Sequence, residues 1–241
     1  MIDIHCHILP AIDDGPGDIE GSISMARIAA DDGISRIVAS PHFKYDERPT
    51  IGDIRRSIAM LQEKVKEQNI PVQLLCGADI RLTYELINGI EKGDIPTVNE
   101  SRYFLLELPD LVPPNLDNFL FSAELRGLVP VITHPERNYS LLLSPEKIVA
   151  LRGSGALFQL TAMSVTGEFG SQVKSFSHML LKKGYADFVA SDAHGSRRRR
   201  PVLSKAYREV SGILGKKNTE RIFFENPSAV IEDRPLKGHD L

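Results

Sequence analysis

The chain has 241 residues, of which 42% are hydrophobic and 25% charged, and its formal net charge at pH 7 is −3. This composition is typical of a globular protein, and the small net charge provides no overall field that would attract nucleic acid or a membrane. We expect a single domain over residues 1–241, because a chain of this length can bury one sizeable core.

Neither secretion nor membrane insertion is expected. No basic segment followed by a long apolar segment opens the chain, and no run of about 18 apolar residues occurs in it. The two cysteines, Cys6 and Cys76, are far apart and show no CxxC spacing, which argues against a disulfide framework or a structural zinc site. The sequence therefore predicts a protein of a reducing compartment, the cytoplasm.

Short apolar runs alternate with longer amphipathic stretches, which is the pattern of parallel strands joined by helices. The predicted fold is α/β, a (β/α) barrel. The runs interpreted as strands are 2–6, 35–40, 71–76, 102–107, 129–133, 156–160 and 186–191. Helices are predicted over apolar-periodic stretches starting near Ile19 and Ile51 and over 83–91, 116–127, 145–152, 169–183 and 202–214, and Asn226 is expected to cap a last short helix.

Side chains that commonly bind metals follow six of the seven predicted strands directly. The carboxyl ends of parallel barrel strands share one rim, so residues distant in sequence would meet there. Alternation along the first strand turns His5 and His7 to one face and Cys6 to the other, which predicts a packing role for the thiol. The candidate metal ligands are His5, His7, Asp14, His42, Asp79, Glu107, His134, Asp192 and His194.

Imidazole and carboxylate groups without thiolates indicate a site for a divalent cation, with zinc, manganese, iron and cobalt all admissible. Nine candidates exceed what one ion can use, so two or three ions are predicted. Such ions orient a phosphoryl group and lower the pKa of bound water from about 16 to about 7. We therefore expect a metal-dependent phosphoesterase with a bridging hydroxide as its nucleophile.

Several candidates have a simpler structural interpretation. Asp14 lies in an Asp-Asp-Gly-Pro sequence that could be only a turn, and a histidine alone on a strand can be an ordinary core residue. His178 and His239 have no neighbouring candidate ligands, and we place both outside the site.

Arginines follow two of the candidate ligands. Arg137 comes three residues after His134 and could contact substrate phosphate, or pair with Glu136 or Asp14. The run 197–200 is four arginines that could form a nucleic-acid patch, a solvated surface or a phosphate clamp. Its position just after His194 favours the phosphate clamp.

Other hydrolytic chemistries lack their residues. A cysteine-based phosphatase needs an arginine six positions after the nucleophile, where this chain has Ile12 after Cys6 and Leu82 after Cys76. A serine hydrolase needs a G-x-S-x-G elbow, and the sequence around Ser154 has the wrong spacing. No phosphate-binding P-loop is present.

The motifs MIDIHCHILPAIDDGPGD, SPHF, CGADIRLT, SRYFLLELP, VITHPERN, VASDAHG and ENPSAVI resemble, in order from residue 1 to about 232, the bacterial CpsB/CapC family of manganese-dependent protein-tyrosine phosphatases. The resemblance implies the polymerase and histidinol phosphatase (PHP) fold, a distorted seven-stranded (β/α) barrel with three metal ions. It further implies, as substrate, phosphotyrosine on a bacterial autokinase of exopolysaccharide or capsule synthesis. The family's ligand positions match His5, His7, His42, Glu107, His134, Asp192 and His194.

The expected mechanism gives the arginines and two histidines roles beside the ions, which would be Mn²⁺ or, in its place, Fe, Zn, Co or Mg. Arg137 and the arginine loop would offset the charge that develops on phosphorus, and His42 or His194 would protonate the leaving oxygen.

Two positions depart from the family pattern. Asp79 stands where a glutamate is expected, so the third metal could be weaker or shifted. The loop before Pro201 has one extra residue, so either Arg199 or Arg200 could be its phosphate-binding arginine.

Four other functions stay open on the residues alone. An amidohydrolase also begins with His-x-His but commonly uses a carbamylated lysine where this chain has Glu107. A histidinol-phosphate phosphatase or an exonuclease would share the metal site and differ in the substrate pocket. A scaffold with a structural metal cluster is the non-enzymatic possibility.

Overall fold

The structure is a computed structural model that describes residues 1–44, 49–83, 85–111 and 116–236. All seven predicted strands are confirmed within two residues at each end. Two short strands were not predicted, and each continues the preceding strand after two irregular residues. The strands are β1 (Ile2–Cys6), β2 (Arg36–Ala39), β3 (His42–Phe43), β4 (Gln73–Cys76), β5 (Asp79–Arg81), β6 (Tyr103–Glu107), β7 (Val129–Thr133), β8 (Leu157–Thr161) and β9 (Phe188–Ala190).

Every strand pair in the described part of the chain is parallel, in the orders β1-β2-β4 and β3-β5-β6-β7-β8-β9. The two ends of this arrangement meet at β1, where the amide of His7 donates to the carbonyl of Ala193 at 2.9 Å and the amide of Asp192 donates to the carbonyl of His5 at 2.8 Å. With β2–β3 and β4–β5 counted as interrupted single strands, the sheet closes into the predicted seven-stranded α/β barrel, distorted at the interruptions.

Helices connect the strands on the outside of the barrel. The side chain of Asp18 caps the first, and Thr50 with Asp53 forms a capping box on the second. None of the helices in the described ranges is long and apolar enough to cross a bilayer. They are α1 (Ile19–Asp31), α2 (Ile51–Glu67), α3 (Leu86–Glu91), α4 (Leu116–Glu124), α5 (Tyr139–Leu143), α6 (Glu146–Gly153), α7 (Ala162–Thr166), α8 (Ser171–Lys182), α9 (Ser204–Leu214), α10 (Lys216–Glu220) and α11 (Asn226–Ile231).

The predicted capping role of Asn226 is wrong. The chain runs from α10 through a π-helical turn, Arg221–Glu225, directly into α11, so Asn226 already has helical backbone angles. Its side-chain amide donates instead to the carbonyl of Asp187 at 2.9 Å. This hydrogen bond connects the last helix to the residue that precedes β9.

The barrel interior is apolar below the rim, and β1 contributes to it with an irregular alternation of its side chains. Ile2 and Ile4 pack inside with Leu105 and Val131. Simple alternation would then turn His5 outward. The register of β1 against β2 shifts between Asp3 and Cys6, and a shift of this kind re-aims a side chain. His5 and His7 consequently both face the rim, as predicted, while Cys6 packs in the outer core.

Candidate active site

The predicted ligands of the described barrel rim come together, and Asp79 lies among three of the histidines. Its Oδ2 is 3.7 Å from His5 Nε2, 3.6 Å from His42 Nδ1 and 3.7 Å from His134 Nε2. The other carboxylate oxygen accepts a hydrogen bond from the hydroxyl of Thr133 at 2.9 Å. The shorter side chain at position 79 therefore still reaches the cluster, because β5 carries it fully buried against β6.

Asp192 faces the opposite side of the cluster. Its Oδ1 lies 3.6 Å from His5 Nε2, 3.5 Å from His7 Nε2 and 3.8 Å from His194 Nδ1. Asp14 closes the cluster from the solvent side, with its Oδ1 3.3 Å from His194 Nε2 and 3.7 Å from His42 Nε2.

The potential ligand atoms form three groups in which all atoms lie within 4.8 Å of one another. His134 is in none of them but is close to Asp79, as given above. His7 and His42 each belong to two groups. The groups are His7, Asp14, His42 and His194; His5, His7 and Asp192; and His42, Asp79 and Glu107. All nine predicted residues thus lie in one cluster.

Three polar side chains that the sequence did not single out orient this cluster. Gln159 Oε1 accepts a hydrogen bond from His5 Nδ1 at 2.7 Å, and Asp13 Oδ2 accepts one from His7 Nδ1 at 2.6 Å. Thr133 is the third, and it orients Asp79 through the hydrogen bond described above. Two features of the sequence could have indicated them: Gln159 is a polar residue inside the apolar run 156–160, and Asp13 is a second carboxylate beside Asp14.

These hydrogen bonds decide which imidazole nitrogens can bind a cation. Because Nδ1 of both His5 and His7 carries the donated hydrogen, the lone pair of each imidazole lies on Nε2 when the ring is neutral. The two Nε2 atoms are 3.1 Å apart. Two facing lone pairs repel each other unless a cation or a proton lies between them.

Burial and charge shift the pKa values in the cluster accordingly. Burial lowers the pKa of His5 to about 4. Burial also opposes a charge on His7, but hydrogen bonds and charges of Asp13 and Asp192 outweigh it and raise the pKa of His7 to about 9. Burial, with the negative charge of Asp79 nearby, raises the pKa of Glu107. Burial thus disfavours a positive charge on His5, whereas the neighbouring carboxylates favour one on His7 and oppose a further negative charge on Glu107.

Two of the rim residues have left-handed backbone conformations. The φ angles of His134 and Asp192 are 35° and 50°. Residues other than glycine rarely adopt this region of backbone angles. Each such residue destabilises the fold by about 1 kcal/mol or more, and the conformation persists only when the surrounding structure enforces it. Both residues lie at strand ends and place their side chains in the cluster.

Arginines contact the cluster through Asp192. Arg137 Nη1 is 2.5 Å from Asp192 Oδ2, and its guanidinium carbon is 4.8 Å from the centre of the Phe169 ring. The predicted pairing of Arg137 with Glu136 or Asp14 is wrong, because Arg137 pairs with Asp192. Glu136 is buried against β8, where it accepts a hydrogen bond from the amide of Thr161 at 2.9 Å, and Asp14 Oδ1 faces His42 and His194.

In the arginine run, Arg199 turns inward and donates to Asp192 Oδ2 at 2.6 Å, whereas Arg200 is exposed. His178 lies outside the cluster, as predicted, with its Nε2 3.1 Å from the carbonyl of Val165. His239 falls outside the described residues.

The two thiols are poor nucleophiles here. Cys6 is fully buried, and burial raises its pKa well above the usual value. Burial also raises the pKa of Cys76. These facts agree with the prediction that Cys6 only packs.

A family model described as "Capsular polysaccharide synthesis, CpsB/CapC" matches residues 1–232. The chain belongs to the CpsB/CapC family. The family prediction made from the motifs is confirmed.

The relatives are phosphatases by name. The chain is 40% identical to tyrosine-protein phosphatase YwqE of Bacillus subtilis (strain 168), with 99% of each protein covered. It is 34% identical to the putative tyrosine-protein phosphatase CapC of Staphylococcus aureus, over 87% of this chain and 83% of the relative.

Solved structures agree. A chain from the crystal structures of YwqE from Bacillus subtilis and CpsB from Streptococcus pneumoniae, described as unique metal-dependent tyrosine phosphatases, superposes with a TM-score of 0.94, 34% identity and coverage of 98% and 96%. A histidinol phosphate phosphatase from Lactococcus lactis shares 11% identity at a TM-score of 0.54, covering 92% of this chain and 94% of the other, which shows a common fold alone.

Proposed function

We propose that this chain is a metal-dependent protein-tyrosine phosphatase that uses Mn²⁺ and acts in the cytoplasm. The observation that carries the proposal is the single cluster of nine ligand-type side chains in a chain that matches YwqE over its whole length. Its phosphoesterase chemistry separates it from the amidohydrolase and scaffold alternatives, since the relatives are named as tyrosine phosphatases.

The residues fit divalent cations by their chemistry and by one buried atom. Imidazole and carboxylate donors without a thiolate suit Mn²⁺, and also Fe, Zn, Co or Mg. Asp79 Oδ2 is buried and has no hydrogen-bond partner among the described residues, although three imidazole nitrogens lie within 3.7 Å of it. An acceptor left in this way is suited to a metal ion.

We assign the ligand role to the three groups and His134. The group with Asp14 and His194 is the most open, because the side chain of Asp14 is 61% exposed. The group with His5 and Asp192 is buried. Divalent ions held by these residues supply Lewis acidity and activate water near neutral pH.

The arginines are assigned to the phosphoryl oxygens. Arg137 uses Nη1 to bind Asp192 and Arg199 uses Nη2, which leaves further guanidinium N–H groups for substrate. Arg199 Nε is buried and makes no hydrogen bond within the described part of the chain. Planar guanidinium groups can bind two phosphoryl oxygens at once and offset negative charge as the ester bond breaks. The exposed Arg200 is the second candidate in this loop.

His42 and His194, the two histidines predicted to protonate the leaving oxygen, are also assigned as ligands, so either would act as the acid only through the ring nitrogen that does not bind an ion. The side chain of His42 is 41% exposed and that of His194 is 8% exposed, so His42 is the more accessible to a bulky substrate. A phenol has a pKa of about 10, so a phenolate leaves with less help from an acid than an alkoxide would need.

We propose a phosphorylated bacterial tyrosine autokinase of capsule or exopolysaccharide synthesis as the protein substrate. The family description, which names capsular polysaccharide synthesis, supports this assignment. Nucleic acid is not proposed as a partner of the catalytic cluster, because its arginines are paired with Asp192 inside the site.

The test is hydrolysis of phosphotyrosine peptide, phosphoserine peptide and histidinol phosphate by chelator-stripped protein with and without Mn²⁺. We expect metal-restored activity that is selective for phosphotyrosine. His134→Ala should abolish it, and His178→Ala, which alters a histidine outside the cluster, is the matched control. Metal-dependent hydrolysis of histidinol phosphate alone would overturn the substrate, and absence of all phosphatase activity would overturn the function.

A further inference from the structure

A basic groove lies beside the catalytic cluster, formed by the loop 197–200, Lys205 and Arg208 on one side and Thr166 and Phe169 on the other. Its volume is about 600 Å³, enough for several residues of an extended peptide. The chain as a whole is acidic, with a net charge of −3, so this concentration of positive charge is local.

The groove is continuous with the catalytic cluster through two of its own residues. Arg199 lines the groove and binds the candidate ligand Asp192 at 2.6 Å. Phe169 lines the groove and supports the guanidinium of Arg137 at 4.8 Å. A chain that places a phosphate on these two arginines would therefore run directly into the groove.

Most of the positive charge in the groove has no internal partner. Five of its basic residues make no side-chain ion pair or hydrogen bond with any residue that the structure describes; they are Arg197, Arg198, Arg200, Lys205 and Arg208. Their side chains are exposed. Charges gathered without a counter-ion repel each other, and Lys205 with Arg208 does so at the i, i+3 spacing of α9.

The two acidic residues of the groove, Asp32 and Glu168, are outnumbered by its basic residues. Asp32 is occupied by α9, since its carboxylate accepts hydrogen bonds from the amides of Leu203 at 2.6 Å and Ser204 at 2.8 Å. Glu168 is the other, and it accepts a hydrogen bond from the hydroxyl of Thr166 at 3.3 Å. Two carboxylates against six basic side chains leave the groove positive.

We propose that the groove binds acidic residues next to the phosphotyrosine of a peptide substrate, with Lys205 and Arg208 as specificity-determining residues. The inference rests on the proposed phosphatase function. An extended peptide advances about 3.3 Å per residue, and Lys205 and Arg208 are about 4.5 Å apart along the helix axis. Because Arg199 and Phe169 join the groove to the catalytic cluster, the carboxylates recognised are those close to the phosphotyrosine in the peptide.

The test compares two phosphotyrosine peptides of equal length, one with Glu on both sides of the phosphotyrosine and one with Gln at the same positions, using Mn²⁺-loaded full-length protein. The wild type should hydrolyse the Glu peptide with about tenfold higher kcat/KM at low ionic strength, and about 0.5 M NaCl should remove most of this preference. K205A/R208A should reduce the preference to about twofold, because two exposed charge pairs contribute only modestly.

The matched control is K216A/K217A on α10, which removes the same charge from exposed lysines outside the groove and should keep the preference. K205E/R208E should reverse the preference, towards a peptide with Lys at these positions.

Equal hydrolysis of the Glu and Gln peptides by the wild type, or an unchanged preference in K205A/R208A, would overturn the groove assignment alone. Binding of anionic vesicles or DNA through Lys205 and Arg208 with no difference between the peptides would assign the groove to another anion and overturn it as well. Hydrolysis of neither peptide would overturn the phosphatase function itself.

Discussion

Arg199 and Asp192 are joined twice, since Arg199 Nη2 donates to Asp192 Oδ2 at 2.6 Å and to its backbone carbonyl at 3.1 Å. Both residues have left-handed backbones, with φ of 47° and 50°. Arg137 binds the same Oδ2, whereas Oδ1 faces His5 and His7. One carboxylate thus connects the arginines to the histidine cluster.

Asp192→Asn should therefore damage two parts of the site at once. The loss of negative charge weakens ion binding to the group with His5 and His7 and leaves Arg137 and Arg199 without their partner. We expect kcat/KM to fall by at least about 100-fold, together with a lower metal content measured by mass spectrometry. Full activity with full metal content would contradict the role given to this carboxylate.

Arg137→Lys should separate phosphate binding from ion binding. Lysine keeps the positive charge but cannot form two parallel hydrogen bonds or lie flat on Phe169, so we expect kcat/KM to fall by about 10- to 100-fold with unchanged metal content. Phe169→Leu removes only the aromatic ring beside the guanidinium, so we expect a smaller fall in kcat/KM, about threefold. Phe169→Tyr is the control that keeps the ring. Steady-state kinetics and metal analysis of all three variants measure these effects. A loss of metal in Arg137→Lys would contradict the separation of phosphate binding from ion binding.

Gln159→Leu tests whether the hydrogen bond to His5 prepares the site for a cation. Leucine has a similar size but no acceptor, so His5 Nδ1 loses its partner and Nε2 is no longer held as the free nitrogen. We expect Mn²⁺ affinity to fall by about 10- to 100-fold, as is usual when such a partner is removed. Gln159→Glu keeps an acceptor and should bind Mn²⁺ far better than Gln159→Leu. Calorimetric titration of chelator-stripped protein measures this, and equal affinities in the two variants would refute the role.

Thiol alkylation should leave the enzyme active. Burial raises the pKa of both Cys6 and Cys76, and Cys6 lies in the outer core, away from the ligand cluster. A thiolate is needed for nucleophilic attack, so neither thiol fits a covalent phosphoenzyme. Iodoacetamide treatment of the native Mn²⁺-loaded protein, followed by phosphotyrosine hydrolysis, provides the measurement. Inactivation that follows modification of Cys6 would reopen the cysteine mechanism.

Much of the site was predictable because parallel strands impose a rule that the sequence displays. Residues that follow strands must share a rim, so His5, His134 and Asp192 could be grouped without knowledge of any contact. The helices with a long apolar face were predictable for a similar reason. The fold class followed from the alternation of these two kinds of segment.

What was missed depends on contacts that no local pattern records. Strands β3 and β5 have two and three residues, too few to show alternation. Gln159 and Asp13 act only through histidines distant in the chain or across a turn. The pairing of Arg137 with Asp192 joins residues 55 positions apart, whereas its considered partner Glu136 faces β8 because the turn rotates it away.

The shifted register of β1 makes the number of residues in this strand as important as their chemistry. Ile4 and His5 both face inward only because the chain carries an extra residue between Asp3 and Cys6 relative to β2. A deletion of Ile4 would remove no ligand and no charge, yet it would remove the residue by which β1 exceeds β2 between Asp3 and Cys6, together with a fully buried side chain. The protein should therefore tolerate changes of side chain at Ile4, such as valine, much better than any change in the length of its first strand.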